Sequence, residues 1–549
     1  MNTQLPFLIT ILGFLLINKA CAQSFTSSDL PIITITTDAG RTIVDDPKVL
    51  ATLTVIDNGP GKRNNLADKP AVTSKIGIEL RGSTSQEFFP KKPYGFELRD
   101  PGGVNSVNVG LLGMPEESDW VLNAVYNDRS LLREALTYDL NRKMSRYYTP
   151  RFRYCEVVLN GNYQGIYILF EKIKRDKNRV DIADLKKVDI AGDQLTGGYI
   201  LKVDKFEGTV GESWQTSVPN INGKKASIQI DRPKREDLVQ EQIAYIRNYV
   251  KAFETALAGP DFRDETKGYR KYFDDDAAVD YLLLTEICRN VDGYRISTFF
   301  YKDRDSKGGK LTLGPIWDYN LTYGNANYSD GEKPTGWAYN FDRISPSDYF
   351  QMPFWWDRLL KDPTFTAKVV QKYQAMRKTV LATNKIHAYV DSSATRLTEA
   401  RIRNFQRWPI IGKTDLWPVF YTGRTYDDEV NYFKDWIRKR LDWMDGAMPL
   451  LSVGILATEP TDDLSLSVGP VPMTESATVR YKLSQRANVQ LAMVDANGRS
   501  VFVANQTGQP AGEHTYALNA NQLPSQPGVY VLTLQTDGQV KATQKVIKY

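Results

Sequence analysis

Residues 75–98 read KIGIELRGSTSQEFFPKKPYGFEL, and this stretch decides the interpretation of the fold. Lys75–Arg81 and Lys91–Leu98 alternate apolar and polar side chains, which is typical of β-strands with one buried face. Between them lies Arg81-Gly-Ser-Thr-Ser85, a turn of small residues whose N–H groups can approach phosphate oxygens closely. A lysine on the next strand would supply positive charge for the same phosphates. Taken alone, the stretch favours a simpler interpretation, a surface hairpin with two solvated lysines.

The element order around this stretch extends from about residue 31 to residue 450. The sequence predicts a strand at Ile32–Thr37 before it, and a helix beginning near Asp128 after it. The later elements are a hairpin and then mainly helices, with these predicted bounds: Cys155–Leu159, Gly165–Glu171, Glu236–Leu257, Asp275–Cys288 and Asp427–Met444. A sheet-rich part followed by a helix-rich part is the order of a two-lobed protein-kinase-like fold, although order alone does not establish a fold.

Composition bounds the class of protein. The chain has 549 residues, of which 42% are hydrophobic and 25% charged, so it is globular and long enough for several domains. A net charge of +5 is small for this length, which argues against a dedicated nucleic-acid-binding protein. With 2 His and 3 Cys, a His-rich zinc site, a cysteine-ligated metal and a Ser-His-Asp hydrolase are all disfavoured. Chemistry is therefore expected from Asp, Glu, Lys and Arg.

Residues 1–22 have the pattern of an export signal. An apolar run, Leu5–Ile17, precedes the small-residue site Ala20-Cys21-Ala22, and a lipoprotein cysteine at Cys21 is the lesser alternative. No transmembrane span is expected in the mature protein. Cys155 and Cys288 then remain, either as a disulfide or as two buried free thiols.

The segment 452–549 is predicted to be a small all-β, Ig-like sandwich. Alternating runs at Ala477–Leu483, Val489–Val494 and Gly528–Gln535 are separated by turn signals. The segment resembles the C-terminal sorting domain of type IX secretion cargo, through Gly469-Pro-Val-Pro472 and Asp537-Gly-Gln539 among others. That resemblance implies interaction with the type IX machinery, export, and then release or attachment at the cell surface. An ordinary accessory module is the alternative.

Two loops in the helical part present aspartates between apolar elements. Asp292 lies in Asn290-Val-Asp292, and Asp318 lies in Ile316-Trp-Asp-Tyr-Asn320. Phosphoryl transfer needs such a pair, one carboxylate to orient the attacking hydroxyl and one to hold Mg²⁺ on the phosphates. A capping Asp and a turn Asp would give the same pattern.

The body, residues 30–450, resembles the CotH family, named for spore-coat protein H, whose members have an atypical protein-kinase fold. The matching stretches occur in order along the chain: Leu80–Ser85 with Lys91–Tyr94, Asp119–Asn123, Asp128–Arg133, Leu159–Tyr167 with Glu171, Gly197–Ile200, Asn290–Tyr294, Phe300–Asp303, Gly314–Asn320 and Trp436–Trp443. The expected fold class is therefore α+β, a two-lobed atypical kinase-like domain followed by the small β-sandwich.

The resemblance implies an exported kinase that uses ATP and Mg²⁺ or Mn²⁺ to phosphorylate Ser or Thr of envelope or extracellular proteins. It assigns catalysis to Asp292 and metal binding to Asp318. The remaining implied roles are metal binding by Asn320 and Ser297, and nucleotide binding by Arg81, Ser83, Ser85, Lys92 (or Lys91), Glu134 as a partner of that lysine, and Glu171 near the adenine.

Some positions depart from the family pattern. Ser297 stands where a typical kinase has a metal-binding Asn, and Asn320 stands where many family members have a second Asp. These departures support an alternative, a catalytically weak or inactive kinase-like surface protein with a binding role. A two-carboxylate glycoside hydrolase with an aromatic groove is a third reading, and its groove would be formed by Trp337, Trp355, Trp356, Trp408 and Trp417.

Overall fold

The computed structural model describes residues 25–205, 212–452, 466–494, 500–523, 528–537 and 539–548. The predicted export signal, residues 1–22, lies outside these ranges.

The body begins with strands and continues mainly with helices. Its strands are β1 (Ser27–Ser28), β2 (Ile32–Thr37), β3 (Val49–Ile56), β4 (Asn64–Asn65), β5 (Val72–Leu80), β6 (Tyr94–Arg99), β7 (Asp119–Asn123), β8 (Phe152–Leu159), β9 (Asn162–Glu171), β10 (Tyr199–Val203), β11 (Ser213–Gln215), β12 (Ser227–Arg232), β13 (Thr298–Lys302) and β14 (Thr312–Leu313). Its helices are α1 (Thr84–Phe88), α2 (Arg133–Met144), α3 (Gly192–Leu195), α4 (Gln240–Ala258), α5 (Asp275–Cys288), α6 (Phe341–Ile344), α7 (Trp355–Leu359), α8 (Pro363–Arg377), α9 (Thr383–Arg396), α10 (Thr398–Arg407) and α11 (Tyr426–Ser452).

The first sheet closes into a barrel with the strand order β2-β3-β5-β6-β7-β9-β8. Neighbouring strands are antiparallel except at the closure, where β2 runs parallel to β8 and Ile32 pairs with Glu156. Apolar side chains fill the barrel, among them Ile76, Phe96 and Trp120. The alternation that predicted strands in the sequence therefore reflects one face on this core and one face outside it.

A second, antiparallel sheet has the strand order β11-β12-β10-β13-β14. Helices α4, α5 and α7 contribute Phe253, Leu283 and Trp355 to the large apolar core that this sheet shares. Helix α2, which lies between the barrel strands β7 and β8 in the chain, and the residue before it contribute Leu136 and Leu132 to the same core. One continuous apolar cluster therefore joins the barrel region to the helices that follow it.

The C-terminal part is all β. Strands β15 (Leu466–Gly469), β16 (Ser476–Leu483) and β19 (Gly512–Asn519) form one sheet. Strands β18 (Ser500–Gln509), β17 (Ala487–Val494), β20 (Gly528–Thr536) and β21 (Gln539–Lys548) form the other. Side chains of both sheets share one core, as Val479, Leu491 and Leu532 illustrate, which is the arrangement of a sandwich. The α+β class and the predicted C-terminal β-region are thus confirmed.

Several sequence predictions match the structure closely. The helix predicted at Asp275–Cys288 is found with those bounds, and the predicted hairpin corresponds to β8 and β9. Cys155 and Cys288 are both buried and free, which settles the choice between a disulfide and two thiols. Among the described helices, none combines the length and apolar character that a membrane crossing requires.

Other predictions are corrected. The second strand of the opening stretch begins at Tyr94 rather than Lys91, because the short helix α1 and the prolines at 90 and 93 delay it. The helix predicted near Asp128 begins at Arg133; the Asp128 carboxylate accepts a hydrogen bond from the Arg133 N–H at 2.8 Å, five residues away.

Candidate functional site

A cavity of about 440 Å³, here called the cleft, lies between the barrel and the second sheet. Its walls come from segments that are far apart in sequence: the turn at 81–85, the β7 end at 123–127, the β9 end at 172–173, the β10 end at 202–205, and the loops at 292–299 and 317–321. The second sheet and the following loops thus bring polar residues to a wall of the barrel that includes Val121 and Asn123 of β7.

Seven of the residues singled out from the sequence line the cleft. They are Arg81, Ser83, Ser85, Asp292, Ser297, Asp318 and Asn320. The other three, Lys92, Glu134 and Glu171, are not part of its lining.

Asp292 follows α5, which ends when Arg289 takes a left-handed conformation with φ 47°. The Asp292 Oδ1 accepts hydrogen bonds from Arg295 Nη2 at 2.8 Å and from the Tyr328 hydroxyl at 3.4 Å. The Arg295 guanidinium is itself buried and lies 4.0 Å from the Phe341 ring centroid. The carboxylate is therefore held in a fixed orientation at the cleft wall.

Asp318 follows β14 and is exposed to the cleft, with a left-handed φ of 60°. Such a conformation costs free energy in a residue other than glycine and persists only where its surroundings hold it. Those surroundings are Trp317, whose ring lies 5.1 Å from the Arg81 guanidinium, and Tyr319, whose hydroxyl is 3.0 Å from Thr285 Oγ1. The contacts of Trp317 and Tyr319 thus hold the backbone at Asp318 in place.

Glu134 lies at the start of α2 and is buried, with Oε2 accepting a hydrogen bond from Asn123 Nδ2. Burial raises its pKa well above the usual value, and the Asp318 and Asp128 carboxylates raise it further, whereas Arg81 opposes the rise. Its electrostatic neighbours are therefore Asp318 and Arg81. The structure does not bring Glu134 and Lys92 together, because the Glu134 carboxyl accepts its hydrogen bond from Asn123 and the Lys92 Nζ donates to the Gln86 carbonyl oxygen.

Lys92 is not part of the cleft lining, and its Nζ donates to the Gln86 carbonyl oxygen at 2.5 Å. Lys91 contributes to the cleft wall, but its Nζ donates to the Ile166 carbonyl oxygen and to Asn404 Oδ1. Complete burial lowers the pKa of Lys91 to about 7. Neither ammonium group faces the cleft, so the lysine expected from the opening stretch does not reach it.

Glu171, expected near an adenine, is fully buried on the barrel side. Its carboxylate accepts hydrogen bonds from the Tyr148 hydroxyl, the Arg151 N–H and Arg151 Nη1. The next two residues, Lys172 and Ile173, line the cleft instead. The Glu171 carboxylate thus joins the end of β9 to the segment before β8.

Several other cleft residues belong to no sequence motif. Lys202, Asp204 and Lys205 come from the end of β10, and Asp231 and Arg232 from the end of β12. Asp204 Oδ1 accepts a hydrogen bond from the Ser297 N–H at 3.2 Å and so ties the β10 end to the Asp292 loop. The available signal was a charged run directly after an apolar strand, which is common at any strand end.

Whether the cleft suits a divalent cation depends on its oxygen donors. No group of three or more His, Cys, Asp or Glu residues in the described ranges is arranged to hold a metal. The carboxylates of Asp292 and Asp318 and the amide of Asn320 nevertheless line the same cleft. Mg²⁺ commonly takes one or two protein carboxylates and completes its shell with phosphate oxygens and water. The donors therefore fit a cation that arrives with a phosphorylated ligand.

The comparisons with known proteins identify two segments. Residues 78–444 match the family described as CotH kinase protein, and residues 467–549 match the family described as secretion system C-terminal sorting domain. No curated protein matches the chain.

Two solved structures have a limited likeness to the chain. Latent PorU from Porphyromonas gingivalis is 18% identical over 16% of this chain and 9% of that chain, with a TM-score of 0.13. The alkylpurine DNA glycosylase AlkC from Pseudomonas fluorescens, bound to DNA containing an abasic site analog, is 12% identical over 38% of this chain and 63% of that chain, with a TM-score of 0.12. The chain spans less than two thirds of either, and these scores carry no structural conclusion.

Proposed function

The chain belongs to the CotH kinase protein family and carries a C-terminal sorting domain for type IX export, and from this premise we propose that it is an exported protein kinase. In this proposal it transfers the γ-phosphoryl group of ATP to Ser or Thr hydroxyl groups of envelope or extracellular proteins. The sorting domain directs the chain to the cell surface or to secretion, so its acceptors would be met outside the cytoplasm.

One observation carries the proposal: Asp292 and Asp318 come from separate loops and line the same cleft as the turn at 81–85. Phosphoryl transfer depends mainly on positioning and charge stabilisation, and it needs these three parts within reach of one nucleotide. A capping Asp and a turn Asp without a shared role would have no reason to converge.

In the proposed reaction Asp292 accepts a hydrogen bond from the acceptor hydroxyl and orients its oxygen toward the γ-phosphorus. Both hydrogen bonds that hold this carboxylate end on Oδ1, from Arg295 and Tyr328. Within the described residues no hydrogen bond ends on Oδ2, which leaves that oxygen for the acceptor. The hydroxyl proton then passes toward Asp292 as its oxygen attacks, and ADP leaves.

A divalent cation would be held by Asp318 and by the side-chain oxygen of Asn320, with the nucleotide supplying the other ligands. When bound, such an ion neutralises charge on the phosphates. Apolar side chains near the β9 end, Val121, Ile173 and Phe299, line the cleft and provide surface for a purine base. A kinase-like arrangement of two lobes around the cleft is part of the same proposal.

The proposal is tested by incubating the purified protein with γ-labelled ATP, Mg²⁺ or Mn²⁺ and a mixture of Ser/Thr peptides. Labelled peptide is expected with the wild type, and none with Asp318→Asn. Asp435→Asn is the matched control, because Asp435 is a half-exposed acid on α11 that pairs with Arg438 and Lys439. A wild type that labels nothing with either metal contradicts the proposal.

A second candidate function is a catalytically inactive binding protein on the same scaffold. Two observations favour it: Ser297 offers a hydroxyl where a kinase has an amide oxygen, and Asn320 Nδ2 lies 3.5 Å from Asn127 Oδ1 rather than presenting a second carboxylate. Undiminished binding of an envelope ligand by Asp318→Asn, together with no labelling by the wild type, would support this candidate.

The glycoside hydrolase reading has less support. Trp337, Trp355 and Trp356 are each about 1% exposed and belong to the large core. Of the tryptophans considered for a sugar groove, Trp417 is the one that lines the cleft. Core packing therefore explains the positions of the three buried tryptophans.

A further inference from the structure

Six cationic side chains line the cleft, apart from Lys91 with its inward ammonium, and four of them have a carboxylate partner. Lys202 pairs with Asp204, Lys172 with Asp119, Arg232 with Asp231, and Arg295 with Asp292, at 2.8–3.7 Å. The other two are Arg81 and Lys205, and in the described ranges neither has a carboxylate oxygen within 4.0 Å. Within the described ranges, Arg81 and Lys205 are therefore the two of these six cations that form no ion pair.

Arg81 and Lys205 approach the same turn from opposite walls. Arg81 is its first residue, at the end of β5, whereas Lys205 follows β10 in the second sheet. The Lys205 Nζ lies 3.5 Å from Thr84 Oγ1, although the two residues are 121 positions apart. The turn is compact at this point, since a Cβ on Gly82, whose φ is 79°, would lie 2.4 Å from Ser85 Oγ. The Lys205 ammonium and the Thr84 hydroxyl thus meet at the turn that Arg81 begins.

We propose that Lys205 is the lysine that binds the polyphosphate of the nucleotide, together with Arg81 and the turn, and that Lys92 has no part in this. The inference rests on the proposed function and adds a residue that the opening stretch could not supply. A polyphosphate chain carries several negative charges and only acceptor oxygens, which matches two unpaired cations beside hydroxyl groups. A neutral ligand would leave both charges uncompensated.

The backbone around Lys205 supports this role. Its N–H donates to Asp204 Oδ1 at 2.9 Å, and the same oxygen accepts from the Ser297 N–H. The loop that carries Asp292 is therefore tied to the residue next to Lys205. This connection places the phosphate-binding cation and the acceptor-orienting carboxylate on one rigid wall, with the turn on the other.

The test measures equilibrium binding of tripolyphosphate, ATP and adenosine to the full-length protein. With Lys205→Met we expect tripolyphosphate and ATP to bind about tenfold more weakly or worse, because a charge-assisted contact is lost. Adenosine affinity should stay within about twofold, since adenosine has no phosphate. Lys205→Arg keeps the charge and should retain most of the affinity, which also shows that the site is still folded.

Lys92→Met is the rival variant, because it removes the neighbouring lysine of the opening stretch. Affinity like the wild type for tripolyphosphate supports the inference, and a tenfold loss overturns it. If Lys205→Met and the wild type bind tripolyphosphate equally well, the inference is overturned. If both proteins still bind ATP in that case, the proposed kinase function is unaffected. A wild type that binds neither ATP nor tripolyphosphate overturns both.

Discussion

At the scale of single residues, Asp292 and Asp318 reach the cleft because of the elements that precede them in the chain. Asp292 and Asp318 each follow a strongly apolar element, so their loops had to emerge at the edge of a core. Whether Lys92, Glu134 and Glu171 line the cleft depends on the direction of each side chain. That direction is set by neighbours such as Gln86, Asn123 and Arg151, which no local pattern specifies.

Lys91 gives a pH-dependent prediction. Its pKa falls from 10.5 to about 7 on folding because it is buried, so between these values the unfolded chain binds one more proton than the folded one. Wild-type stability should therefore rise with pH in this window, relative to Lys91→Met, by at most about 1.4 kcal/mol per pH unit.

The measurement is the difference in melting temperature between wild type and Lys91→Met at several values from pH 7 to 10. Groups common to both proteins cancel in this difference. If the difference in melting temperature stays constant over this pH range, burial does not lower the pKa of Lys91.

Tyr328 tests how Asp292 is held. Tyr328→Phe removes the hydroxyl that donates to Asp292 Oδ1 at 3.4 Å and keeps the ring. We expect the rate of phosphoryl transfer to fall by up to about tenfold, the value of one hydrogen bond, with ATP affinity unchanged. Steady-state and single-turnover rates with γ-labelled ATP separate the two effects. A weaker ATP affinity with an unchanged rate would place Tyr328 on the nucleotide instead.

At the scale of elements, local periodicity predicts single helices and strands, whereas the sheets depend on pairing between distant segments. Helix α5 was predictable because an Asp cap and an acidic first turn precede a mainly apolar run. The barrel was not, because its closure joins β2 to β8 across more than a hundred residues and parallel pairing leaves no local signature. The second sheet is antiparallel, but its strands β10 and β13 pair from distant parts of the chain, which no local pattern specifies.

A buried ion pair fixes α5 against α11. Glu286 and Arg440 have fully buried side chains 3.1 Å apart, and Glu286 also accepts hydrogen bonds from the Ala338 and Tyr339 N–H groups and the Tyr294 hydroxyl. Glu286→Ala leaves these donors and the Arg440 charge unsatisfied, so we expect a loss of about 3–5 kcal/mol in the stability of the body.

Thermal and denaturant unfolding of Glu286→Ala should therefore show a large shift. Asp442→Ala on the same helix pair is the control, since it breaks only the exposed pair with Arg438 and should change stability by less than about 1 kcal/mol. Equal shifts for the two variants would contradict the account of the α5–α11 contact.

At the scale of the whole molecule, the C-terminal sandwich has a core of its own. The cluster that includes Val479, Leu491 and Leu532 contains no residue of the body. Sequence texture predicted this division, because alternating runs and turn signals replace helical periodicity after residue 452.

Deleting residues 467–549 is therefore expected to leave the melting temperature of the body within about 2 °C, because that segment adds nothing to the body's core. The same deletion should abolish export, which fractionation of cells and medium would show. Unfolding of the truncated body would mean that the two parts depend on each other.

In the proposed function, one cleft binds the nucleotide and Asp292 acts in the transfer step. The most direct measurement is single-turnover transfer of the γ-phosphoryl group by wild type and Asp292→Asn, with ATP affinity determined on the same samples. The account predicts a rate about 10²–10⁴-fold lower for Asp292→Asn at unchanged ATP affinity. Equal transfer rates for the two proteins would contradict it.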